Sequence, residues 1–141
     1  MIDAKEYLKQ IKLYDANINN KLEEMERLKD LAIKITANIK PVVVSGSHSQ
    51  DKLGDAVAKI VDLQTEINKA VDSYVDKKKE ISAVIDRIQD PDQLAVIHKR
   101  YFEFKTWEQI ACEMNYTYRN VCYIHGRALQ AIEKILKEGV C

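Results

Sequence analysis

The chain has 141 residues, with 22 Lys and Arg balanced by 22 Asp and Glu, so its net charge is zero and there is no global pull toward nucleic acid or an anionic surface. Only four glycines and two prolines interrupt a sequence that is 46% apolar and 31% charged, a balance that favours long helices. Three cysteines without a CxxC pair exclude a secreted disulfide scaffold and point to a reducing cytoplasm, and no apolar run is long enough to span a bilayer.

The first element reads as one long helix. Ala4, Ile11, Ile18, Met25, Ala32 and Ile39 recur every seven residues. Leu8, Tyr14, Leu22, Leu28 and Ile35 interleave as a second row, giving the alternating steps of three and four that make a coiled-coil seam. Asp3 is the expected N-cap, with Glu6 three residues on. Lys40-Pro41 should stop the helix, because proline pushes its predecessor out of the α region. Val42 to Gln50, a β-branched run followed by small polar residues, reads as a loop.

A second helix is expected from about Asp51 to Gln89. Its main row is Leu53, Ile60, Ile67, Tyr74, Ile81 and Ile88. Val57, Val71 and Ile85 form the interleaved row, broken by the polar Gln64 and Lys78. Each helix would be roughly 50 Å long at about 1.5 Å per residue. Neither could bury its stripe alone, so the pair should fold back as an antiparallel hairpin over residues 1–89. Lys77-Lys78-Lys79 reads as a solvated face.

Asp90-Pro91-Asp92 is a stop followed by a start, since proline and aspartate both suit a first helical turn. A second domain, 90–141, is placed beyond it. The heptads cease and aromatics concentrate. A helix over about Asp92 to Phe102 would turn Leu94, Ile97 and Tyr101 to one face. Another should open at Thr106, whose hydroxyl can cap Gln109 while Gln109 reaches back, and close at Asn115, a residue tolerant of the left-handed region. The last should open after Thr117 and run to about Lys137, with Gly139 as terminator. The fold class expected is therefore all-α: a long coiled-coil hairpin followed by three helices.

Those last helices carry a helix-turn-helix pattern. Ala111 is the small residue at the crossing, and Asn115 the turn residue four positions on. Val121 and Ile124 plug the angle, with Ile110 and Met114 on the first helix's inner face. Trp107 is expected in the core. Residues 90–141 hold seven basic and seven acidic side chains, yet no carboxylate falls between Glu113 and Glu133. That window contains Arg119, Asn120, His125, Arg127, Gln130 and three tyrosines. With Val121, Ile124 and Ala128 inward, Tyr118, Arg119, Asn120 and Tyr123 face outward, where base edges would be read. Thr117, Arg127, Lys99, Arg100 and Lys105 suit phosphates.

The flanks extend the pattern. Arg100-Tyr101-Phe102-Glu103 precedes Thr106-Trp107-Glu108-Gln109-Ile110-Ala111-Cys112-Glu113-Met114-Asn115-Tyr116-Thr117, and the last helix carries Arg127-Ala128-Leu129-Gln130-Ala131-Ile132. This last third of the chain resembles region 4 of sigma-70-type transcription factors. The wording Ile124-His125-Gly126-Arg127-Ala128-Leu129 is similar to small region-4-like regulators of phages, several implied to control late genes. Asn115 stands where the family's turn glycine is usual, Gly126 interrupts the recognition helix, and nothing resembles sigma region 2. The resemblance implies a phage or prophage-derived adaptor, activator or repressor in the bacterial host cytoplasm. Its implied partners are double-stranded DNA and RNA polymerase, with a homodimer through the hairpin as a further expectation and no membrane partner.

Two other readings stand beside it: a DNA-recognition protein like the small terminase subunit of phages, and a helical adaptor that does not touch DNA. Cys122 and His125 could ligate a metal with Cys112 or His98, but no second close pair accompanies them, and neither metal nor cofactor is expected. No glycine-rich phosphate loop, GxSxG or HExxH is present, so no enzymatic role is expected.

Overall fold

A computed structural model of the chain describes residues 3–38 and 47–139. The described residues form helices and turns without a strand. Helix α1 covers Ala4–Ala37 and α2 covers Ser47–Ile85. The Asp3 side chain accepts the Lys5 amide at 3.1 Å, so this residue does cap α1. The stop expected at Lys40-Pro41 and the valine run lie outside the described residues.

Helix α2 starts four residues before the expected Asp51, since Ser47 to Gln50 contains neither Gly nor Pro to oppose a first helical turn. It also ends earlier than Gln89. Arg87 and Ile88 donate to Val84 and Ile85, and these three-residue spans tighten and close its last turn.

The two long helices pair as an antiparallel hairpin. The chain divides into two compact units, one of Met1–Tyr14 with Tyr74–Cys141 and one of Asp15–Ser73, so the division falls inside both long helices and not at Asp90-Pro91. In the second unit Ile18, Met25, Ala56 and Ile67 are buried, and Lys21 reaches Glu66 at 3.6 Å. The main rows are those expected, save that Ile39 lies outside the described residues, and the interleaved ones differ at three positions. Leu22, Val57 and Val71 are exposed. Their places in the seam are taken by Lys21, Ala56 and the half-buried Ala70, one residue earlier in each case. The Lys21 stem covers the seam while its ammonium reaches the exposed Glu66 carboxylate.

The first unit holds the larger core. Ala4, Tyr7, Leu8 and Ile11 of α1 join Ile81, Ile85 and Ile88 in one cluster with Ile97, Tyr101, Ala128 and Ile132. Tyr14 and Tyr74 stack with ring centroids 6.4 Å apart. Lys77 pairs with Glu80 at 2.9 Å, and the Lys78 ammonium lies over the Tyr74 and Phe102 rings, so this lysine run is more than a solvated face.

Helix α3, Pro91–Ile97, has proline in its first turn and Asp90 as cap, accepting the Asp92 and Gln93 amides at 2.9 and 3.2 Å. The single helix expected to Phe102 instead widens into a π-helical turn over His98–Phe102, closed by Glu103 donating to His98 at 3.1 Å. The wider turn lets the His98 and Phe102 rings stack at 5.2 Å while Ile97 and Tyr101 both stay in the core. Helices α4, Trp107–Met114, and α5, Tyr118–Gly139, complete the chain, with Gly139 inside the last turn.

Candidate nucleic-acid interface

Local chemistry sets the angle between α4 and α5. Thr106 Oγ1 accepts the Gln109 amide at 3.2 Å, and Gln109 Oε1 accepts the Thr106 amide at 2.9 Å. This reciprocal cap fixes where α4 begins. Asn115 ends it in the left-handed region, at φ 58° and ψ 38°. That twist lets Tyr116 donate back to the Ala111 carbonyl at 3.0 Å, closing the exposed carbonyls of α4. Thr117 Oγ1 then accepts the Asn120 amide at 3.1 Å, and α5 starts at the next residue. Ile110, Ala111 and Val121 form a cluster with Val96 of α3, and Trp107, Met114 and Ile124 pack around it. Residue for residue, this is the crossing expected from the sequence.

With Val121, Ala128 and Ile132 buried, the opposite side of α5 is presented outward. Arg119, Tyr123 and Arg127, four residues apart, share that side, and Asn120 adjoins it. Tyr123 is 64% exposed and Tyr118 51%, the latter turned about 100° from Arg119 around the helix. Neither Arg119 nor Arg127 makes an ion pair among the described residues. Thr117 keeps its hydroxyl hydrogen for a further partner, because its oxygen serves the cap only as acceptor.

The other phosphate candidates are engaged within the protein. Lys99 and Lys105 both reach Glu113 Oε1, at 3.0 and 2.6 Å, and Lys105 also meets Glu103 at 3.1 Å. Hydrogen bonds from Lys105, then Lys99, hold the Glu113 carboxyl below the usual carboxylate range. Arg100 donates to the Lys105 carbonyl at 2.9 Å while its guanidinium lies 4.3 Å from the centre of the Trp107 ring. The structure thus gathers Arg119, Asn120, Tyr123 and Arg127 on α5 and ties Lys99, Arg100 and Lys105 into a separate network around α4.

His125 departs from its sequence reading. Counted among the polar residues of the carboxylate-free window, it is buried instead, its Nε2 2.7 Å from the Tyr101 hydroxyl. Its ring stacks on Tyr101 and meets Trp107 edge-on at 4.5 Å. Burial, aided by the charges of Lys5 and Arg100, pushes the imidazole down to about 4. Burial likewise pushes the Tyr101 phenol up to about 12. The phenol therefore donates to a neutral imidazole. The signal was in the spacing: Val121, His125, Ala128 and Ile132 fall on one helical face. Tyr116 is likewise held, donating to Asp92 Oδ2 at 2.7 Å. Among the described residues no three His, Cys, Asp or Glu side chains gather into a metal-binding group. No helix there is long and apolar enough to cross a membrane.

The fold and this surface define an all-α protein, a helical hairpin joined to a helix-turn-helix. Residues 34–133 match the model of DUF1492, described as a protein family of unknown function, and the chain belongs to that family. No curated protein and no solved structure matches it.

Proposed function

We propose that this chain is a sequence-specific, duplex-DNA-binding regulator of transcription, phage or prophage encoded, acting with RNA polymerase in the host cytoplasm. The observation that carries the reading is the outward face of α5. It offers two arginines without an ion pair among the described residues, an asparagine and the exposed Tyr123, with the exposed Tyr118 to one side, on a helix free of carboxylates as far as Ile132. Arginine and asparagine are the side chains that pair in two-pronged fashion with guanine and adenine edges. The helix-turn-helix crossing is the geometry by which such a helix enters a major groove. The hairpin would serve self-association or contact with the polymerase.

One observation favours a second reading, a helical adaptor that binds protein and not DNA. Lys99, Arg100 and Lys105 already have partners, and the whole chain is neutral.

Selection of a random duplex pool by the purified protein, at two salt concentrations, separates the two. Enrichment of one motif, with affinity falling as salt rises, is expected of a protein anchored on phosphates and reading bases. Absence of any duplex binding at low salt, with polymerase co-purifying after nuclease treatment, would replace the DNA reading by the adaptor.

A further inference from the structure

Helix α2 carries a second seam. The row packed on α1 includes Ala56, Ile60, Leu63, Ile67, Ala70 and Tyr74, all buried or half-buried. One residue further on, about 100° around the helix, runs an outer row: Val57, Val61, Gln64, Asn68, Val71 and Val75. Its steps are four, three, four, three and four, the spacing of a coiled-coil stripe. Its valines are 39% to 59% exposed, and it bears no charge, although seven charged residues occupy the rest of the helix from Asp55 to Asp76. A helix with two such seams belongs in a bundle that gives it two neighbours, and α1 is only one.

The order of residues in the outer row identifies the second neighbour. The row reads the same from either end: two valines, two amides, two valines. Turned over about an axis at the level of Glu66, it places Val57 opposite Val75, Val61 opposite Val71, and Gln64 opposite Asn68. An antiparallel coiled coil also sets the two kinds of seam position against each other, as this pairing does. A two-fold interface must be self-complementary, and this row is so in each of its layers.

The central amides fit as well. Gln64 Nε2 donates to Asn68 Oδ1 at 2.9 Å within the chain, which leaves Gln64 Oε1 as acceptor and the Asn68 amide group as donor. Across the axis each finds its complement, twice. A polar layer inside an apolar seam fixes register and oligomeric state.

We propose that the outer row of α2 is the interface of a two-fold antiparallel dimer of this chain, so that two hairpins form a four-helix bundle. The proposal is independent of the DNA reading, since the row contains no residue of α4 or α5.

The test is mass in solution, by light scattering or sedimentation, over a wide concentration range and without DNA. The wild type should weigh twice the 16.2 kDa of one chain. V61E/V71E sets like charges opposite each other and should weaken association by roughly 100-fold or more. V61E/V71K sets each new carboxylate opposite a new ammonium of the other copy, twice across the axis, and should restore the dimer. Both sites are exposed in the single chain, and Glu and Lys form helix more readily than Val, so circular dichroism should be unchanged. A monomeric wild type, an assembly larger than two, or a dimer indifferent to V61E/V71E would overturn the interface. A V61E/V71K variant that stays monomeric would overturn the antiparallel pairing, because a parallel pair sets each new charge against its own copy.

Discussion

His125 sits where a protonated side chain is disfavoured, between Tyr101 and Trp107 with its Nε2 taken by a phenol. Its imidazole is held down to about 4, against 6.5 in the unfolded chain. The unfolded state therefore takes up a proton first as pH falls. The stability this residue contributes is complete above about pH 6.5 and is lost as pH drops toward 4, by up to about 3 kcal/mol. Denaturant unfolding of wild type and His125→Gln should diverge in that window, the variant being flatter; parallel curves would place the titration elsewhere. Gly126, the next residue, poses the opposite question. A Cβ there would meet nothing within 4 Å, so no contact in the chain requires glycine, while mid-helix glycine costs about 1 kcal/mol relative to alanine. A bare spot beside Arg119, Tyr123 and Arg127 suits close approach of a ligand to the α5 backbone. Gly126→Ala should raise the melting temperature yet weaken duplex binding roughly tenfold, about 1.4 kcal/mol. A gain in stability with binding intact would remove this face from the contact.

Glu113 of α4 gathers Lys99 and Lys105 from the segment before it. If those lysines lie within reach of phosphate, Glu113→Gln frees Lys99, leaves Lys105 with Glu103 alone, and removes one anion. Duplex affinity at low salt should rise, and the salt dependence should steepen by about one unit of slope. Anisotropy titrations at several salt concentrations read both, and unchanged values would set this network apart from the interface. Among the elements, what the sequence revealed was what is local. The caps at Thr106 and Thr117 and the left-handed Asn115 depend on neighbours within a few residues, and each sits as expected, while Asp90 caps a helix that opens one residue before the expected Asp92. The outward α5 side chains were legible for the same reason, because Val121 and Ala128 fix the helix's rotation. The seams were legible only in part. Val57 and Ala56 are neighbours in sequence, and a valine is the stronger apolar signal at a seam position than an alanine, whereas the packed row takes Ala56 and leaves Val57 exposed. The π-helical turn left no mark that spacing could detect, since it arises from the packing of Tyr101 and Phe102. The ion pairs that occupy Lys99 and Lys105 span 14 and 8 residues and required the fold.

At the scale of the whole molecule, the helix-turn-helix has a small core of its own around Ile110 and Val121, but its last helix also packs into a larger, shared one. Leu8 and Ile11 are fully buried in the same cluster as Ala128 and Ile132, so the first turns of α1 help hold the last helix in place. Leu8→Ala should destabilise the protein by about 2–5 kcal/mol. The loss should appear in the cooperative unfolding of the α5 region, measured by hydrogen exchange at Val121 to Ile132. Protection there that is indifferent to Leu8 would mean that residues 90–141 stand without the hairpin's base.

The stacked pair Tyr14 and Tyr74 marks where one compact unit hands the chain to the other and receives it back. Closing a slack excursion of roughly 60 residues would cost about 4 kcal/mol of chain entropy. Here the excursion is two paired helices, so zipping the arms delivers both ends to the same place, much as a crosslink would. Such an arm is adjustable. Removing seven residues from each helix at matched positions leaves every seam in phase and the tyrosine clasp untouched, so arm length can drift over evolution, or be reset by engineering, in steps of one heptad.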